Sequence, residues 1–508
     1  MYEESDVICA PYLSSIHSRQ VCMRKILINA VDPEECRIAI VKDSKLEEFR
    51  IETAAKEITQ GNIYKGVVSR VEPSLQAVFV DYGAERHGFL QKNEIHSDYY
   101  LDNHSGDNSI KNIIKRGQEL LVQVTKDPVL KKGAMLTTFI SLPGRYSVLM
   151  PGSKNRGISR KIENEKERVR IKDIISKLEI PEDFGMIVRT MGENCTKTSL
   201  AKDIKYLMRL WRTINKKGMK EQAPFLLHKE RSLAVRSMRD SLTDEVTEIL
   251  IDDQDVYKEV KDFISLMSPK QTKIVKLFKG EKPIFTKYQL ENQITSIFEN
   301  RVELKSGGSI VIEQTEALVA IDVNSGKAVH KKSFEETALL TNLDACEEVS
   351  RQLRLRDMGG LIVIDFIDMK DAKHRLEVEK ALKGFVKEDK ARVKVGRITK
   401  FGLLEMSRQR LRPSIASVSF DTCTRCKGKG IIPSKESLGI SVLRKLRLET
   451  LKDDVTAVKC FVPKDVANYL LNNKRKELLT VESRRNLKIT IEGDSGMVPG
   501  DVNIISEK

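Results

Sequence analysis

The 508-residue sequence contains no uninterrupted apolar stretch of the roughly 20 residues needed to cross a bilayer. Its first residues, MYEESDV, are acidic where a secretory leader would be basic, so a cytoplasmic location is expected. Its eight cysteines are scattered, and only Cys423 and Cys426 lie close together, which excludes a disulfide framework and fits a reducing compartment. There is no long Pro, Gly or Ser tract and no internal repeat; with 40% hydrophobic residues, little of the chain is expected to be disordered. The single tryptophan, Trp211, sits among apolar neighbours and reads as core.

Basic residues are what the chain has in excess. Lys and Arg number 88 against 73 Asp and Glu, a formal charge of +15, which favours a polyanionic partner: nucleic acid first, an anionic membrane surface second. A solvated basic surface with no partner explains the charge alone equally well. The length implies several domains around separate cores.

The alternating pattern that starts at MRKILINA, from Met23, and continues into CRIAIVKD predicts the first strands. Five short strands follow between Gly61 and Leu142 (NIYKGVVSRV, LQAVFVDYG, HGFL, ELLVQVTKD, AMLTTFISL), the pattern of a small β-barrel of OB type. Residues from about 160 to 300 read as helical, and strands alternate with helices from 300 to 400, beginning with a hairpin at Gly307-Gly308. The last segment mixes one amphipathic helix, LGISVLRKLRLE, with the short strands VKCFVP and LKITIE.

The sharpest chemical signal is a pair of carboxylates. ALVAIDVNSG is an apolar run that ends in Asp322 and Asn324, two apart and so on one face of a strand. A helix follows, with Ser333 and Glu336 forming a capping box, Leu339, Leu343, Cys346, Val349 and Leu353 as its apolar face, and Gly359-Gly360 as its end. The next strand, LIVIDFIDM, carries Asp365. In a βαβ crossover the two strands run parallel and Asp322 and Asp365 emerge at one sheet edge. Two carboxylates brought together without a basic partner suit a hard divalent cation, magnesium above all. The alternative is a turn cap at Asp322 and an Arg partner for Asp365. Asp368 is expected on the opposite face, in a supporting role. CTRCKGKG has zinc-knuckle spacing, but no second CxxC or nearby His pair completes four ligands, so a redox dithiol stays open.

IDVNSG, RQLRLRDMGGLIVIDFIDM and FGLLEMSRQRLRPS closely resemble the ribonuclease E/G family of bacterial endoribonucleases, and the likeness runs from about Met23 to beyond Cys426. It also covers NIYKGVVSRVEPSLQAVFVDYGAERHGFL, GISRKIE, MIVRTMGE, APFLLHKE and TNLDACEEVSRQLRLRD. The resemblance implies an α/β and α+β multidomain chain. An N-terminal extension (1–22) without counterpart precedes a ribonuclease-H-like fold (23–59 and 235–297), interrupted by an OB-type RNA-binding domain (60–142) and a 5′-sensor region (143–234). A deoxyribonuclease-I-like catalytic domain (298–419), a zinc link (420–433) and a small domain (434–508) complete it.

By the same resemblance the activity is hydrolysis of single-stranded RNA to 5′-monophosphate and 3′-hydroxyl ends, in rRNA maturation or mRNA decay. Asp322 and Asp365 would bind Mg2+, Asn324 would hold the first carboxylate, and Arg392 would stabilise charge on phosphate. Phe79, Phe89 and Lys132 would grip RNA; Val148, Arg189 and Thr190 would read its 5′-monophosphate. Cys423 and Cys426 would share a structural Zn2+ with a second subunit, giving a dimer or a tetramer of paired dimers. Taken alone, a Phe on a barrel strand is more often core, and an Arg-Thr pair more often plain surface. Longer members carry a tail that docks other decay enzymes; this chain stops at Lys508, so ribonuclease-G-like length and no such scaffold are expected.

Overall fold

The computed structural model describes residues 23–54, 58–101, 109–128, 132–326, 333–452 and 455–507, so the 1–22 extension lies outside the described residues. The chain forms two compact units, Met1–Val418 and Ser419–Lys508.

In the first unit a five-stranded sheet has the order Val275–Leu277, Val246–Ile251, Arg24–Asn29, Glu35–Lys42, Lys45–Thr53. The first three strands are mutually parallel and the last three antiparallel. Ile26 and Ile28 feed the core beneath the helices Leu233–Ser241 and Gln254–Met267, while Leu27 joins Phe49, Phe285 and Leu355 on the other face. A strand apolar on both faces is central by necessity. The reading of 160–300 as helical needs correction here: VTEILI forms the strand Val246–Ile251, between Val275–Leu277 and the central Arg24–Asn29. A short apolar run carries no periodicity that separates a buried strand from a buried helix.

Between Thr53 and Val246 the chain leaves this sheet. All five strands expected in that stretch form, as Ile63–Glu72, Ala77–Asp81, Gly88–Gln91, Glu119–Lys126 and Met135–Thr137. The first pairs with Glu119–Lys126 and closes them into a barrel around Val68, Val78, Val80, Leu90, Val122 and Leu136. Gly88 is required for closure, because a Cβ there would lie 2.3 Å from Leu136 Cδ1. A four-stranded sheet (Leu142–Pro143, Ser147–Pro151, Phe184–Val188, Arg156–Ile158) follows. The helix Lys197–Lys220 packs on it, with Trp211 half-buried against that core.

A six-stranded sheet then has the order Arg301–Glu303, Ser309–Gln314, Leu318–Asn324, Gly360–Asp365, Leu403–Arg408, Val393–Ile398. Its central pair is parallel and the other neighbours antiparallel. The helix Phe334–Leu355 makes the crossover, and the helix Ala372–Phe385 packs beside it. Gly307 lies in the expected hairpin turn, its N–H bonded to Leu304 O at 3.0 Å. The expected stop at Gly359-Gly360 is corrected to Asp357, which takes the left-handed conformation at φ 50°. Met358 N–H reaches Leu353 O at 3.1 Å and Asp357 N–H reaches Arg354 O at 3.4 Å, closing the last turn two residues early.

The second unit is a three-stranded sheet. Ala457–Pro463 lies between parallel Lys488–Asp494 and antiparallel Asn503–Glu507, with helices including Lys435–Glu449 and Lys464–Asn473 packed on it.

Candidate active site

Along Leu318–Asn324, Val319, Ile321 and Val323 point into the core under the helices, which leaves Asp322 and Asn324 exposed on the opposite face. Gly360–Asp365 repeats the pattern, with Ile362 and Ile364 buried and Asp365 exposed. Parallel register sets Asp322 directly beside Asp365 at the strands' C-terminal ends, and Asn324 Nδ2 donates to Asp322 Oδ2 at 2.8 Å. Partial burial and then the charges of Asp322 and Asp368 push the Asp365 carboxyl up. Among the described residues no Lys or Arg forms an ion pair with any of the three. The like-charged pair Asp322 and Asp365, with no cationic partner among the described residues, suits a hard divalent ion that takes one or two carboxylates.

Asp368 was expected on the opposite face, and the structure corrects this. The strand ends at Asp365, so the alternation of the pleat stops, and both carboxylates border Gly402: a Cβ there would lie 3.1 Å from Asp368 Oδ1 and 3.9 Å from Asp365 Oδ1. Fully buried Asn342 ties down this loop, donating to Ile367 O at 2.8 Å and accepting from Ile367 N–H at 3.0 Å. Glu335 accepts the N–H groups of Lys370 and Asp371 at 3.2 and 3.1 Å and pairs with His374 Nδ1 at 3.0 Å. Those contacts, the Asp371 N–H first, hold its carboxyl below the ordinary value. The sequence reading names neither residue; the available signal was an Asn one turn before Cys346, in line with the apolar face. Of the capping box, Ser333 Oγ accepts Glu336 N–H at 3.1 Å.

Arg392 does not reach this edge. It precedes Val393, which pairs with Arg408, and Arg408 pairs with Gly360, so Arg392 is at the start of the Asp365 strand and not at its end. The register through Arg408 sets Val393 level with Gly360, five residues along the strand from Asp365, so the Arg392 backbone lies toward the opposite end of the sheet.

On the barrel, Phe79 and Phe89 face outward, because the alternate positions Val78, Val80 and Leu90 fill the core. They pair directly across neighbouring strands, with ring centroids 5.7 Å apart. Arg70, which the sequence did not single out, stacks its guanidinium 4.6 Å from the Phe79 centroid. Exposed Lys132 lies two residues before Ala134, whose carbonyl accepts Phe89 N–H at 2.7 Å. Rings backed by cations on an outer barrel face suit stacked bases and a phosphate backbone.

Val148 pairs with Ile187, two residues before Arg189. The Arg189 guanidinium donates to Gly144 O and Asp240 Oδ1, both at 2.7 Å. Thr190 Oγ1 lies 3.3 Å from Ser159 Oγ. Burial works to raise the Asp240 carboxyl, but Arg239 and Arg189 outweigh it and hold it well below the carboxylate range. Buried Asp203 shapes the adjoining turn by accepting the N–H groups of Arg145, Tyr146 and Ser147. Asp240 and Asp203 had no local signature in the sequence.

In the second unit Cys423 is exposed and Cys426 half-buried. Lys427, Gly428 and Gly430 all have positive φ, curling the chain so that the amides of Gly430 and Gly428 face the Cys426 sulfur and lower its pKa. Two soft sulfur donors on a curled loop fit half of a tetrahedral zinc site. Among the described residues no group of three or more His, Cys, Asp and Glu is arranged to hold a metal.

Comparison with known proteins agrees with this layout. Residues 141–411 match the model of the ribonuclease E/G family, residues 57–138 that of the S1 RNA binding domain, and residues 422–507 that of the RNase E/G thioredoxin-like domain. Ribonuclease E of Haemophilus influenzae is 47% identical over 478 residues, covering 94% of this chain and 51% of the relative. Ribonuclease E of Escherichia coli is 46% identical over 468 residues, covering 91% and 44%. Ribonuclease G of Escherichia coli is 38% identical over 427 residues, covering 83% and 87%. The chain thus spans about half the length of the ribonuclease E relatives.

Proposed function

The chain belongs to the ribonuclease E/G family, and from that premise we propose that it is a magnesium-dependent endoribonuclease acting on single-stranded RNA. The observation that carries this reading is the in-register pair Asp322 and Asp365, exposed at one strand edge without a cationic partner among the described residues. These two would hold the ion, Asn324 keeping the Asp322 carboxylate turned toward it through the 2.8 Å bond. Such an ion, when bound, neutralises phosphate charge and makes water a better nucleophile. The products would carry 5′-monophosphate and 3′-hydroxyl ends. Phe79, Phe89 and Lys132 would hold the strand, with Arg70 beside them. Arg189, Thr190 and the backbone at Val148 would favour a 5′-monophosphate. For Arg189 this leaves the guanidinium N–H groups not committed to Gly144 and Asp240.

The family reading extends to the folds. The order and directions of the five-stranded sheet support a ribonuclease-H-like assignment, and the six-stranded sheet is proposed as the deoxyribonuclease-I-like catalytic domain. rRNA maturation and mRNA decay in the cytoplasm are the corresponding roles.

The test is incubation with 5′-monophosphorylated single-stranded RNA, Mg2+ and an EDTA control. Metal-dependent internal cleavage, faster than on the 5′-hydroxyl form, is expected; an intact RNA, or equal loss of duplex DNA, rejects the proposal. Cys423 and Cys426 would each give a thiolate to a zinc shared with a second copy, forming a dimer or a tetramer of paired dimers. A Cys423→Ala, Cys426→Ala double variant should lose zinc and dissociate in sedimentation; an intact oligomer without zinc counts against it.

A further inference from the structure

Phe401 and Phe334 are 71% and 73% exposed, more than any other phenylalanine among the described residues. Phe334 opens the crossover helix, next to Glu335, which binds the loop after Asp365. Phe401 is placed still more closely. It stands in the tight turn between Val393–Ile398 and Leu403–Arg408, and the next-but-one residue, Leu403, pairs with Asp365. Gly402, its immediate neighbour, borders both Asp365 and Asp368.

The turn is firmly held. Thr399 N–H bonds Leu403 O at 2.8 Å, Gly402 N–H bonds Thr399 O at 3.2 Å, and Gly402 O accepts from Phe366 N–H at 3.4 Å. Lys400 Nζ sits 5.1 Å from the Phe401 centroid. A lone exposed Phe needs no explanation. A ring held out on a braced turn beside the acidic pair, with an ammonium against it, has the form of a base-stacking platform with a phosphate contact.

We propose that Phe401 stacks on the base of a nucleotide adjoining the scissile phosphate, with Lys400 on the backbone, and so positions RNA at the carboxylate pair. This rests on the endoribonuclease reading above. Phe401 is a binding and specificity residue of the cleavage site, separate from the aromatic pair on the barrel.

The experiment uses the full chain and a defined single-stranded RNA with one cleavage site, with abasic nucleotides placed singly on either side of it. Phe401→Ala should lower kcat/KM roughly tenfold on intact RNA, mainly through KM, with an unchanged unfolding midpoint. Phe401→Trp should restore activity and Phe401→Leu should not, since leucine keeps the apolar bulk without the π face. On one abasic substrate the wild type and Phe401→Ala should cleave equally. Wild-type rates from Phe401→Ala on all substrates, equal rescue by Leu and Trp, or an altered oligomeric state as the main effect would overturn the proposal. No cleavage by the wild type would instead reject the endoribonuclease reading itself.

Discussion

Asp322 and Asp365 face each other with nothing cationic paired to them among the described residues, so their mutual repulsion is a standing cost to the fold. Replacing either by Asn is expected to abolish metal-dependent cleavage, by on the order of 10⁴-fold, while leaving the thermal unfolding midpoint of the metal-free protein unchanged or higher. Paired cleavage and melting measurements check this, and a large fall in stability would mean that the carboxylates are structural. The spacing of Asp322 and Asn324 was readable because side chains alternate along a strand. The place of Asp368 was not, because alternation has no meaning once the strand stops at Asp365. The outward aim of Phe79 and Phe89 was likewise decided by which neighbours fill the barrel.

At the scale of elements, the crossover helix Phe334–Leu355 both covers the sheet and fixes the loop that follows Asp365. Asn342 is the means: one buried side chain satisfies both polar groups of the Ile367 peptide unit's neighbourhood, accepting its N–H and donating to its carbonyl. Asn342→Ala would leave both unpaired, at a cost of about 1–3 kcal/mol each, and would loosen the loop carrying Asp368. The expected result is a lower urea midpoint together with a fall in kcat that exceeds any rise in KM; normal kcat in a folded variant would show that the clamp does not serve the site. The apolar face of this helix was legible in the sequence from Cys346, Val349 and Leu353, all buried. Its end was not, since Asp357 assumes a conformation more usual for glycine.

Over the whole of the first unit, ion pairs join the separate sheets. Glu48 of the five-stranded sheet takes Lys390, which precedes the last strand of the six-stranded sheet, at 2.8 Å; Arg354 of the crossover helix reaches Glu47 at 2.9 Å. Asp240 joins Arg189, which follows the strand Phe184–Val188, to the helix Leu233–Ser241. Burial tends to raise Glu48, but Lys390 and Arg50 outweigh it, and its carboxyl, like that of Asp240, is held well below the ordinary range. A carboxyl depressed in the folded state adds stability above its unfolded pKa, about 4, and loses it as pH falls toward the folded value. Asp240→Asn should therefore lower the urea midpoint at pH 7, and the gap to wild type should close below about pH 4. A gap that persists unchanged in acid would show that Asp240 contributes by packing alone.

The sequence by itself determined the local events: the five barrel strands, the apolar crossover helix, the Asp322 and Asp365 strand ends and the curl at Cys423 and Cys426. Each depends on periodicity or on a few adjacent residues, and the family resemblance supplied the order in which they are joined. Tertiary structure alone decided what comes together from far apart. The partnership of Asp240 with Arg189, the clamp from Asn342 and the stack of Arg70 on Phe79 all join residues from separate segments, and neither periodicity nor propensity records such meetings. It also separated what the sequence had grouped, since Arg392 shares a domain with Asp365 but emerges at the other end of the sheet. Strand direction, set only when the antiparallel neighbours pair, is the physical reason.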